Sequence, residues 1–185
     1  MLYLASQSPR RRELLGQIGE TSRVLDVEVE EVRQPGEAPD AYVARVALDK
    51  ARAGYAMVSN ENGARVIGAD TEVILGDDVF GKPRDAADAV SMLRRLSGRE
   101  HRVVSAVWLI DEKGERHALS VSIVRIASLD ATQIDDYVAS GECFGKAGAY
   151  AIQGLAAAFI EHLSGSYSGV MGLPLHETSR LLRSQ

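Results

Sequence analysis

Three groups of side chains in this sequence have the types and spacing to handle an anion or a hard cation. The first is "SQSPRRR", Ser6 to Arg12. Its Ser-Pro pair reads as the cap and first turn of a helix, with Ser8 accepting from a free amide, so Arg10, Arg11 and Arg12 fall at the amino end. That end already carries about half a positive charge, and each cation placed there costs a few tenths to about 1 kcal/mol. A bound phosphate reverses the balance, because free helix amides, serine hydroxyls and guanidinium forks all donate to its oxygens. The second group is "GADTEV". In an extended segment Gly68, Asp70 and Glu72 share one face, and Ala69, Thr71 and Val73 share the other. Carboxylates two residues apart lie about 7 Å from each other, which serves a hard cation directly or through water. Solvated acids on an exposed strand face fit the same pattern equally well. The third group is a pair of isolated lysines. Lys50 lies about 100° round its helix from Asp49, off the polar stripe of Arg45, Asp49 and Arg52, where a lysine ordinarily snorkels to water. Lys82 stands between a glycine and a proline in a strand-to-helix loop.

The elements that must position these groups can be read from periodicity and punctuation. "LYLA" is a short apolar strand leading into the arginine helix, and "SRVLDVEVEE", Ser22 to Glu31, reads as a second strand. After the loop "RQPGEAP" comes an alanine-rich helix from about Asp40 to Met57. "ARVIGADTEVILG" is a strand, and "GDD" turns it into a hairpin with "VFGKP". "RDAADAVSMLRRLSG" is a helix with Ala89, Met92, Leu93 and Leu96 on one face and Gly98 as its stop. Two alternating strands, "RVVSAVWLID" and "HALSVSIVRIA", are joined by "EKGE". A capped helix "DATQIDDYVASG", a buried strand or short helix "LAAAFIEHL", and a final helix "LPLHETSRLLRS" complete the chain. Helices alternating with strands, with hairpins among them, predict an α/β fold: a mixed sheet with helices packed on it.

Composition excludes several classes of function. With 45% hydrophobic residues in 185, the chain has a core's worth of apolar side chains and is not disordered. Its 21 basic and 26 acidic residues give a net charge of −5, which disfavours a protein that wraps nucleic acid. Cys143 alone cannot form an internal disulfide, as expected in a reducing compartment. No run approaches the length of a membrane span, so a soluble cytoplasmic protein is expected. "GECFGKA" is not a phosphate loop: three residues separate its glycines instead of four, and Ala147 stands where a hydroxyl is needed. His117 and His176 read as surface residues. Tyr150, Tyr167 and Trp108 read as packing residues.

"SQSPRR", "GADT", "GKP", "KAGAYAIQG" and "GSYSGVMGLPL" stand in the order and spacing of the Maf family of nucleotide pyrophosphatases, which the chain resembles over nearly its whole length. The resemblance implies a single domain over 1–185, with two lobes around a cleft and a mixed twisted sheet related to the inosine triphosphate pyrophosphatases. It implies hydrolysis of a nucleoside triphosphate to monophosphate and pyrophosphate with a divalent cation, magnesium or manganese, by a cytoplasmic homodimer. By position, Asp70 would take the proton from the attacking water and share the metal with Glu31. Ser6, Arg11, Lys50 and Lys82 would grip the phosphates, while Arg12 matches no motif position and is expected in solvent. Arg10, Thr71 and Gln153 stand where the family selects its base, and the set resembles that of the dTTP/UTP subgroup. Gln153 offers both a donor and an acceptor to a pyrimidine imide edge.

Three positions depart from the family pattern. Gly145 replaces the usual aspartate before Lys146, Glu72 replaces an apolar residue, and Cys143 replaces a proline. Glu72 is expected at the rim of the metal site, partly compensating for Gly145. The competing reading is a non-catalytic nucleotide-binding regulator of cell division that uses the same cleft only to bind. Asp70 separates the two, because an acid beside a triphosphate repels a ligand that is merely bound and is needed by a reaction that must deprotonate water.

Overall fold

In the computed structural model, which describes residues 1–183, the apolar runs assemble into one seven-stranded mixed sheet. The strands are β1 (Leu2–Ala5), β2 (Arg23–Val24), β3 (Arg65–Leu75), β4 (Asp78–Phe80), β5 (Glu100–Asp111), β6 (Gly114–Ile126) and β7 (Ile160–Ser164). They lie in the order β2-β1-β3-β5-β6-β7, with β4 pairing β3 off this path. β1 runs parallel to β2 and β3, and the remaining pairings are antiparallel. The helices are α1 (Pro9–Gln17), α2 (Pro39–Val58), α3 (Ala86–Leu96), α4 (Ala131–Ala139), α5 (Tyr167–Met171) and α6 (Leu175–Arg183). The expected mixed α/β architecture is therefore the one observed. Among the described residues no helix is long and apolar enough to cross a membrane.

β3 is packed on both faces, and each face has its own partners. Val43, Val46 and Ala47 of α2 cover Ile74 together with Val104 and Ala106 of β5. On the opposite face Leu14 and Leu15 of α1 pack with Ile67, Ala69, Val107 and Leu109. Farther along, Leu93 and Leu96 of α3 and Ile134 and Tyr137 of α4 close over Val73 and Val103. A break in pairing on one edge of β3 opens the site. β1 pairs with it only as far as Gly68, and β4 begins only at Val73. On its other edge β5 pairs continuously from Val66 to Ile74. The stretch from Ala69 to Glu72 thus faces a notch in the sheet.

Several local expectations change. The second strand is only Arg23–Val24, and the Leu25 amide adds one hydrogen bond, donated to the Leu4 carbonyl at 2.9 Å. Val27 and Val29 still turn inward alternately, but on irregular chain, so the alternation to Glu31 reports burial without a sheet partner. "LAAAFIEHL" is both of the forms considered, a 3-10 turn over Leu155–Phe159 followed by β7. It is mostly exposed, with Ala156 its only fully buried residue, because β7 is a sheet edge. Ser184 of the final helical run lies outside the described residues. Tyr167 is 49% exposed and lies outside the core, whereas Tyr150 and Cys143 are buried and His117 and His176 are exposed. Trp108 is half-buried, donates from Nε1 to the Ala44 carbonyl at 3.0 Å, and stacks on His117.

His101 links this packing to pH. It is 2% exposed, its Nε2 lies 2.8 Å from the Tyr150 hydroxyl, and Nδ1 has no partner. Burial pushes its pKa down from 6.5 to about 4, so the folded protein holds it neutral. The unfolded chain protonates this histidine first, and stability is therefore lost as pH falls from about 6.5 towards about 4, amounting to about 3 kcal/mol. Urea midpoints measured across this range should fall more steeply for the natural protein than for His101→Gln, which cannot take up the proton.

Candidate active site

The notch opens into a cavity of about 970 Å³ lined by Ser6, Arg10, Arg11, Glu31, Lys50, Asp70, Thr71, Lys82 and Gln153. Every site residue expected from the sequence is thus brought to one place, from both faces of β3. The volume is at the upper end of the range for small-molecule sites.

Arg11, in the first turn of α1, is 9% exposed and fixed at two atoms. Its Nε donates to the Gly172 carbonyl at 2.8 Å, and Nη1 donates to Ser6 Oγ at 3.1 Å. Burial pushes its pKa down, while Asp70, Glu31 and Glu72 act to hold the charge. Ser8 occupies the N-cap position, but its side chain makes no cap bond. Ser6 Oγ accepts from the Ser8 amide at 3.2 Å and from Arg11, and caps no amide of α1. Arg10 is half-buried, with Nε donating to the Met171 carbonyl at 3.3 Å, and burial followed by the Arg11 charge lowers its pKa. Arg12 is exposed, as expected.

On the α2 side, Lys50 is buried with its ammonium 2.8 Å from Asp70 Oδ1 and 2.8 Å from Glu31 Oε1. It does not snorkel to solvent. Burial raises the pKa of Glu31, but the hydrogen bond and charge of Lys50, with Lys82 and Arg11, outweigh this and leave it lowered. Asp70 and Glu72 are 4% and 7% exposed, which rules out solvated acids on an open strand face. Asp70 Oδ2 and Glu72 Oε2 are both buried without a hydrogen-bond partner. Burial first, then the charges of Asp70 and Glu31, push Glu72 up to about 8.

The rim is built from later parts of the chain. Thr71, on the opposite face of β3, has Oγ1 2.6 Å from Ser105 Oγ and donates to the Gly172 carbonyl at 3.3 Å. Gln153 and Lys82 are exposed at the rim. Nearby, burial and the Arg10 charge lower the pKa of Lys146. Gly145 adopts φ +69° with no atom within 4 Å of an added Cβ, so the place of the absent carboxylate is open space.

Two contributors were missed from the sequence. The Gly172 carbonyl orients Arg11 from a loop 161 residues away, and no local pattern announces it. Tyr42 lines the cavity and donates from its hydroxyl to the Glu31 carbonyl at 3.0 Å. It stands eight residues before Lys50 on α2, about 80° round the helix from it, and both are buried.

Donor chemistry at the notch fits a hard divalent cation. Among the described residues no three Asp, Glu, His or Cys side chains are already gathered to hold one, and the Lys50 ammonium stands between Glu31 and Asp70. The unpartnered oxygens of Asp70 and Glu72 are nevertheless buried hard donors of the kind magnesium and manganese take.

The Maf-like protein family model matches residues 1–185. A dTTP/UTP pyrophosphatase of Xanthomonas campestris pv. campestris is 59% identical over 184 residues, covering 98% of this chain and 97% of the relative. Relatives of the same name from Methylococcus capsulatus and Cupriavidus metallidurans are 57% and 52% identical, covering 98% and 99% of this chain and 89% and 96% of their own. Among solved structures, the Staphylococcus aureus Ham1 protein aligns with a TM-score of 0.47 at 17% identity, covering 68% of this chain and 71% of its own.

Proposed function

The chain belongs to the Maf-like protein family, and on that premise we propose that it hydrolyses dTTP and UTP to the monophosphate and pyrophosphate. The observation that carries this reading is Asp70, which lines a cavity that also holds Arg10, Arg11, Lys50 and Lys82 and whose Oδ2 is a buried acceptor with no partner. A protein that only bound the nucleotide would gain nothing from a desolvated carboxylate beside the triphosphate.

The triphosphate would lie in the notch with its oxygens on Arg11, Ser6, Lys50, Lys82 and the free amides at the start of α1. Lys50 is preset for this role because Asp70 and Glu31 hold its ammonium in place. Asp70 accepts the proton of a water that attacks the α-phosphorus. A P–O bond forms to that water, the bond from the α-phosphorus to its bridging oxygen breaks, and pyrophosphate leaves with the bond's electrons. Asp70 and Glu31 would hold the divalent cation, magnesium or manganese, which neutralises charge on the phosphates. Arg10, Thr71 and Gln153, gathered at the rim, would read the base, with Gln153 pairing donor and acceptor to the pyrimidine imide edge. The same reading carries one domain in two lobes, paired as a homodimer in the cytoplasm.

The direct test is a panel of dTTP, UTP, CTP, GTP and 7-methyl-GTP with magnesium or manganese, the products separated chromatographically. Monophosphate and pyrophosphate from dTTP and UTP ahead of the others is the expected result. Release of diphosphate and phosphate, or binding without turnover, would overturn the reading.

A further inference from the structure

Glu72 is not used in the reaction as derived above, yet the fold keeps it at high cost. Its side chain is 7% exposed, and Oε2 has no hydrogen-bond partner. An ionisable group buried in this way destabilises a protein unless something compensates it. Among the described residues no lysine or arginine is hydrogen-bonded or ion-paired to Glu72: Lys50 and Lys82 act on it only through their charge, and the Lys50 ammonium contacts Asp70 Oδ1 and Glu31 Oε1. Asp70 is left in the same position by half, with Oδ1 paired and Oδ2 buried and unpartnered. Both residues sit on one face of β3, about 7 Å apart along the strand, a span that two carboxylates bridge when they meet at one ion. Both line the same cavity.

We propose that Glu72 is a protein ligand of the divalent cation, meeting it through Oε2 beside Asp70 Oδ2, so that the cation binds before any nucleotide arrives. The proposal rests on the catalytic reading of the site and assigns Glu72 a role in it. Two features favour binding ahead of the nucleotide. The oxygens concerned are the ones Lys50 leaves free, so the ion enters without breaking the ion pairs of Lys50. A site with one or two carboxylates relies on substrate phosphates to complete the shell of a magnesium-like ion, whereas an added carboxylate raises the ligand charge and the affinity of the protein alone.

The test is titration of nucleotide-free protein with manganese alone, following free Mn²⁺ by electron paramagnetic resonance. The natural protein is expected to bind Mn²⁺ without nucleotide, and Glu72→Gln to bind it at least tenfold more weakly. Glu72→Asp, which keeps a carboxylate, should retain more of the affinity than Glu72→Gln. A melting temperature in EDTA no lower for Glu72→Gln than for the natural protein separates loss of a ligand from loss of the fold. If that variant does not fold, a rise in the melting temperature of the natural protein with Mn²⁺ alone, smaller in Glu72→Asp, is the expected result. Wild-type Mn²⁺ affinity in Glu72→Gln, or no Mn²⁺ binding by the natural protein without nucleotide, overturns the proposal. Neither result touches the role of Asp70, which fails only if Asp70→Asn keeps full turnover.

Discussion

Asp70→Asn is expected to lower kcat for dTTP by about 10²–10⁴ while leaving nucleotide binding intact or tighter. The substitution preserves shape and keeps a carbonyl oxygen that can accept from Lys50, now 2.8 Å from Oδ1. It removes the carboxylate charge, and with it the capacity of the side chain to take a proton from water. A cavity whose ligand is polyanionic thereby loses one negative charge, so the phosphate contacts of Arg11, Lys50 and Lys82 are less opposed there. Stopped turnover with retained dTTP affinity, measured by single-turnover kinetics and calorimetry, distinguishes a base from a binding residue. A proportional loss of affinity and rate would instead mark Asp70 as a phosphate-site organiser.

Gly68→Ala is expected to destabilise the protein by about 3 kcal/mol, at the upper end for overpacking. A Cβ at Gly68 would lie 2.4 Å from the Ala47 carbonyl oxygen and 2.4 Å from the Ala51 amide nitrogen. Both are backbone atoms inside α2, so no rotamer change relieves the clash and the helix itself must move. Lys50 lies between those two residues, and a displaced α2 carries its ammonium away from Asp70 and Glu31. The midpoint of urea unfolding should fall, and the folded fraction of the variant should show a raised KM for dTTP. Gly16→Ala is the control, since nothing lies within 4 Å of a Cβ built there.

What the sequence revealed of this site, it revealed through local period. Alternation along "GADTEV" put Asp70 and Glu72 on one face, and the position of Lys50 off the stripe of Arg45, Asp49 and Arg52 marked it before its partners were known. Periodicity reports direction without depth, so it left open whether those acids were solvated; only the packing of α2 over β3 buries them. The Ser-Pro signature fixes where the helix starts and not what its hydroxyl bonds: Ser8 makes no cap bond, and Ser6 turns inward to hold Arg11. The run after Val24 kept strand-like alternation with no neighbour left to pair with, a fact held in the sheet's topology. The stretch from Ala69 to Glu72, left open on one edge only, depends on where β1 ends and β4 begins. The Gly172 carbonyl that aims Arg11 belongs to the same class of long-range fact. The family motifs carried the remainder, the bond cleaved and the base preferred, which no spacing of charges specifies.

The most direct test of water activated at Asp70 and attacking the α-phosphorus is hydrolysis of dTTP in oxygen-18 water, with both products analysed by mass spectrometry. Attack at the α-phosphorus predicts one labelled oxygen in dTMP and none in pyrophosphate. Label in pyrophosphate would place the attack on the β-phosphorus and contradict the arrangement of Asp70 and the phosphate-binding residues proposed for this cavity.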